Sequence, residues 1–129
     1  MISSVRRKLL ALAGVVLPLA ASAHHSTANY DMEHLVPLEG TVRTVSWTNP
    51  HITFVIAAAK VGGEEELWTF EASSPGVLGR SGWTKQSVRP GDQAVFYYAP
   101  LRAGGHGGLL SKVAFPDGRT VSYSLTPVD

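Results

Sequence analysis

The chain predicts an all-β fold: a small OB-like, partly open β-barrel of five to six strands, with one short helix between strands three and four. Three observations predict it. Short runs rich in β-branched and aromatic residues recur between Gly, Pro and Asn punctuation. A single capped helical stretch follows the third run. The first run changes its inward parity midway, as a strand serving both halves of a barrel must. A flat antiparallel sandwich is the competing architecture.

Taken in order, "LEGTVRTVSW" (38–47) alternates through Leu38, Gly40 and Val42, then puts Val45 and Trp47 on the other parity. That predicts a bulge or a sharp bend. Asn49-Pro50 is a turn, and "HITFVIAAA" (51–59) is nearly continuously apolar, which predicts cover on both faces. Val61-Gly62-Gly63 closes a hairpin onto "ELWTFEA" (66–72). Next, Ser74 suits an N-cap, Pro75 the first helical position and Gly82 the position beyond the end, which brackets a helix over 75–81. Gly76 and Gly79 each weaken it by about 1 kcal/mol relative to alanine, so Val77 and Leu78 must hold it by packing.

Pro90-Gly91-Asp92 turns the chain into "QAVFYYA" (93–99), where adjacent Tyr97 and Tyr98 face opposite sides. "LRAGGHGG" (101–108) reads as a long glycine-rich loop. "LLSKVAF" (109–115), Pro116-Asp117-Gly118 and "RTVSYSL" (119–125) read as a closing hairpin.

The first 23 residues have a different character. Arg6, Arg7 and Lys8 form a basic start, and Leu9 to Ala20 is apolar but too short to span a bilayer. Ala21-Ser22-Ala23 then offers the small residues that signal peptidase accepts. The expected organisation is a signal peptide over 1–23, an extended arm over 24–36 and a barrel domain over 37–129. The expected location is periplasmic or secreted, without stable membrane insertion after cleavage. An uncleaved anchor is the alternative, and the absence of cysteine rules out a lipobox. The paired arginines loosely resemble a twin-arginine signal, although Val5 stands where that motif prefers Ser or Thr.

Cleavage changes the charge. Without Arg6, Arg7 and Lys8, the eleven Lys and Arg fall to eight against ten Asp and Glu, so the mature chain is near −2. That is not the balance of a polyanion binder, and no nucleic-acid partner is expected. With no cysteine there is no disulfide, so packing must stabilise the domain.

Five ordered blocks carry a resemblance: "AHHS" (23–26), "GTVRTVSWTNPH" (40–51), "WTFEASSPGVLGRSGWT" (68–84), "VRPGD" (88–92) and "PDGR" (116–119). Together they resemble an uncharacterised family of small exported bacterial proteins, a domain of unknown function, over residues 23 to 120. The resemblance implies one exported domain with a mature N-terminal His-His, and no established activity. Gly76 and Gly79 depart from the pattern in the helix.

The histidines carry the sharpest chemistry. If His24 becomes the amino terminus, its α-amine and imidazole can chelate one metal, and a third nitrogen would complete a brace suited to Cu(II). His25, His51 and His106 are the candidate partners. His51 and His106 lie on the loops expected to flank the usual OB binding face, so the three segments could converge. Nothing in the sequence directs His34. The plainer readings are a solvated end, a strand cap beside Pro50 and a polar loop residue. Cleavage one residue earlier would place His25 third and make a different Cu(II) motif. Cu(I) is disfavoured, because Met32 is the sole mature sulfur ligand.

Trp47, Asn49 and Arg102 form a candidate ligand face, although the default for the aromatics is core packing and for Arg43 and Arg102 solvated charge. No nucleophile elbow or phosphate loop is present, and Glu64-Glu65-Glu66 reads as a solvated hairpin tip. The protein is therefore expected not to be an enzyme, a copper oxidase built on the brace being the sole defensible exception. The expected role is a non-catalytic binding module of unknown ligand. A Cu(II)-binding protein and an accessory subunit docking on an envelope protein are the alternatives.

Overall fold

The computed structural model describes residues 27–125. Six strands form one sheet: β1 (Val36–Ser46), β2 (Thr53–Ala59), β3 (Glu65–Glu71), β4 (Gln93–Pro100), β5 (Gly107–Ala114) and β6 (Thr120–Ser122). Helix α1 (Pro75–Arg80) lies between β3 and β4. The sheet runs β3-β2-β1-β4-β5-β6, and a parallel pairing of β3 with β5 closes the first five strands into a barrel. This is the OB-like order that the sequence predicts, with β6 as an added strand.

The bend in β1 is real. Its first half pairs with β4 from Val36 to Thr41, its second half with β2 from Thr41 to Ser46. The β2 register slips between Val42 and Thr44, which is the parity change seen in the sequence. Strand β2 is covered on both faces at its far end, where Ala57 and Ala58 are both buried. Helix α1 begins where the capping residues place it: the Ser74 hydroxyl accepts from the Val77 amide at 3.3 Å, and Leu78 is fully buried beneath.

The glycine-rich stretch departs from expectation. Gly104 and Gly105 turn the chain with positive φ, but Gly107 and Gly108 belong to β5 and make the barrel seam. A Cβ on Gly107 would stand 2.8 Å from the Thr69 carbonyl oxygen, and one on Gly108 would enter the Tyr98 ring. The missing side chains let Tyr98 reach across β5 to β3. Its ring lies 4.5 Å from Phe70 and 5.8 Å from Trp68, centroid to centroid. Such aromatic pairs add to the apolar burial that fixes the core. Tyr97, on the opposite side of β4, is half-buried with the Lys112 ammonium over its ring.

The residues before β1 are not a loose arm where they are described. Thr27–Asn29 form a 3-10 turn, and Tyr30 bridges to Leu101. The Asp31 amide donates to the Pro100 carbonyl at 2.8 Å, and the Arg102 amide to the Asn29 carbonyl at 2.9 Å. The strap is thus sewn onto the end of β4, because paired backbone groups cost less than unpaired ones near a half-buried surface.

Candidate functional site

A cleft of about 790 Å³ opens where this strap, the end of β3, α1 and the segment after β6 meet. Tyr30, His51, Glu71, Arg80 and Tyr123 supply its polar groups; Val77, Leu109 and Leu125 supply apolar wall. Each side chain arrives for a local reason. Glu71 is at an outward position of β3, the inward set being Glu66, Trp68 and Phe70. The strap bonds bring Tyr30 over it, and the phenol donates to Glu71 Oε2 at 3.3 Å. Arg80 ends α1 and is exposed at the rim.

His51 follows the cis Asn49-Pro50 bond and is half-buried. Backbone bonds between Ile52 and both Ala72 and Ser73 fasten its loop to the end of β3. Its Nδ1 stands 3.2 Å from the Ala72 carbonyl oxygen. A carbonyl only accepts, so Nδ1 donates this bond. Behind it, the buried Tyr123 hydroxyl accepts from the Ser73 amide at 3.2 Å. Burial pushes the Tyr123 phenol well above its ordinary value. The Tyr30 phenol is also raised, first by burial and then by the Glu71 charge beside it.

His106 lies elsewhere. Its Nε2 donates to Glu66 Oε1 at 2.8 Å, and its ring stacks 4.9 Å from Trp68. Lys60 at 3.5 Å and the Trp68 indole N–H at 3.3 Å complete the shell around Glu66. His51 is anchored at Ala72 and His106 at Trp68, four residues apart along β3, or roughly 13 Å at strand rise. The expected convergence of the two loops is therefore corrected: the β3–β5 seam holds His106 back at the middle of β3. Glu66 is likewise an inward, engaged carboxylate rather than part of a solvated tip. Its neighbour Glu65 pairs with Arg43 across the barrel surface.

The residues of the candidate ligand face lie outside the cleft. Trp47 packs partly buried against the core, Asn49 is exposed, and Arg102 is exposed beside the strap; none of the three lines the cleft. His34 is exposed and pairs with Asp31 at 3.1 Å, a hydrogen bond that lowers the Asp31 carboxyl. His24 and His25 lie outside the described residues. Among the described residues no three His, Cys, Asp or Glu side chains gather closely enough to hold a metal.

Sequence reasoning missed Tyr30, Glu71, Arg80 and Tyr123 as neighbours. The lone aromatic ring of the strap was the one signal available, because such a ring is costly to leave in water.

A family model described as a family of unknown function (DUF6152) matches residues 12–112. The match spans the barrel from β1 into β5 and stops before the closing "PDGR" block. No curated protein and no solved structure matches the chain.

Proposed function

Since the chain belongs to that family of unknown function, we propose its role from the cleft: an exported, non-catalytic binding module that takes a small ligand beneath the strap. The observation that carries this reading is the cleft's construction. Six elements meet there, with hydrogen-bonding groups set over an apolar wall, at a volume typical of small-molecule sites. The raised phenols of Tyr30 and Tyr123 favour holding over proton transfer, since a proton-transfer group needs a value tuned toward working pH. Export rests on the basic start, the apolar run and Ala21-Ser22-Ala23. All three tryptophans pack against the core, which supports a ligand other than single-stranded nucleic acid, whose bases need exposed stacking surfaces.

The test is native mass spectrometry of protein released from the periplasm. A bound small-molecule mass is expected on the native form and absent from Val77→Trp, whose indole fills the apolar wall. Retention of the same adduct in Val77→Trp sinks the cleft as the site. Intact mass of the same sample checks export: a chain starting at His24 is expected.

A further inference from the structure

We propose that the cleft selects a small organic cation, an ammonium group on an apolar body, with the Glu71 carboxylate as its anchor. This rests on the cleft reading and names the class of ligand that the cleft takes.

Charge is the first ground. Two glutamates are half-buried among the described residues, Glu66 and Glu71, both on β3. Glu66 is met from within the chain, by Lys60 at 3.5 Å and His106 at 2.8 Å. Glu71 forms no salt bridge among the described residues. Its partner there is the Tyr30 phenol, which donates to Oε2 at 3.3 Å. Burial and the Glu71 charge keep that phenol protonated, so it gives a hydrogen bond and no compensating charge. A carboxylate partly withdrawn from water without a counterion costs free energy, and a bound cation recovers it.

The surroundings decide the kind of cation. A carboxylate accepts at both oxygens, and a phenol that donates still accepts, so Glu71 and Tyr30 present acceptors side by side. An ammonium brings three donors and no acceptor, which matches that set. Val77, Leu109 and Leu125 line the same cleft and match an apolar body.

Arg80 is the competing charge. It ends α1 and is exposed at the rim, where water and salt screen it. Glu71 is half-buried, where screening is weaker, so the carboxylate dominates recognition and the rim cation works against it.

The test titrates the mature protein recovered from the periplasm with 2-phenylethylamine, 2-phenylethanol and 3-phenylpropanoate, which share one apolar body. Backbone amide chemical shifts report binding and its place. The amine is expected to bind about 10–100-fold more tightly than the alcohol, the gain of a hydrogen bond to a charged group. The propanoate should bind no better than the alcohol. Glu71→Gln keeps an acceptor for Tyr30 and should bring the amine down to the alcohol's affinity. Arg80→Gln, at an exposed position, should tighten the amine, which keeps the test sound if Glu71→Gln misfolds. An amine that binds no tighter than the alcohol, or that Arg80→Gln weakens, overturns the proposal. If amine and alcohol bind equally and Val77→Trp abolishes both, the cation alone is lost and the cleft reading stands. Amine binding indifferent to Val77→Trp would sink the cleft itself.

Discussion

The two ends of β3 each gather a glutamate, a histidine and an aromatic ring, and they do opposite things with them. At the Glu66 end every polar group is turned on its neighbour: His106, Lys60 and the Trp68 indole converge on one carboxylate. At the Glu71 end Tyr30 meets the carboxylate, while His51 is steered by a backbone carbonyl and lines a cleft. The residue types are nearly the same. What differs is whether the hydrogen bonds close a shell around one carboxylate or fasten a ring to the wall of a cleft. Closed shells specify structure; oriented groups facing a cavity can hold a ligand.

Both ends depend on the same barrel, so conditions that open it should erase the contrast. Alkali should have the largest effect. The Tyr30, Tyr98 and Tyr123 phenols are all raised, each chiefly by burial. The folded chain holds these protons more tightly than the unfolded one, so their contribution is intact below the unfolded value near 10 and lost as pH rises through the folded values. A denaturant midpoint steady up to about pH 10 and falling above it is expected. Phenolate absorbance near 295 nm should then rise together with loss of structure. Free ionisation of all four tyrosines with the fold intact would contradict the burial argument.

Next in size is Gly108→Ala. The added methyl meets the Tyr98 ring and the Ala99 carbonyl oxygen, so the seam must open or the aromatic stack must move. Overpacking of this kind costs about 1–3 kcal/mol, or roughly 4–8 °C of melting temperature for each kcal/mol in a domain this small. Gly105→Ala, at a positive-φ turn with open space around it, should cost less. A reversed order in thermal melts would put the seam elsewhere.

The same glycines show where sequence reasoning stopped. "GGHGG" announces a turn, and its first two glycines make one. Nothing local tells that the second pair must admit Tyr98 from another strand, because that demand comes from barrel closure. The bend in β1 was legible because a bulge leaves its trace in one strand's own alternation. The helix was legible because Ser74, Pro75 and Gly82 cap it within eight residues of one another. The cleft was not. His51 stood out as a type, but its ring is fastened to Ala72, twenty-one residues away, and its neighbour Tyr30 arrives only through the strap's pairing with Leu101.

Tyr30→Phe probes the strap alone. It removes one hydrogen bond to a carboxylate and keeps the ring, so about 1–2 kcal/mol should be lost from strap docking rather than from the barrel. Hydrogen exchange should report it: the Asp31 and Arg102 amides should lose protection while those of β1 and β2 keep theirs. Uniform loss of protection would mean that strap and barrel open as one unit.

The smallest effect is expected from His106→Gln, and it is the sharpest test of the contrast between the ends. The pair with Glu66 looks strong at 2.8 Å, but the imidazole is half exposed, so solvent screens most of its attraction. Lys60 and the Trp68 indole remain on Glu66 when the ring is gone, so the carboxylate is not orphaned. The net cost should be about 0–1 kcal/mol, near the limit of a denaturant melt. Tryptophan emission should nonetheless shift, since the ring that stacks on Trp68 is lost. A loss above about 2 kcal/mol would make the Glu66 shell a structural keystone instead of a local closure.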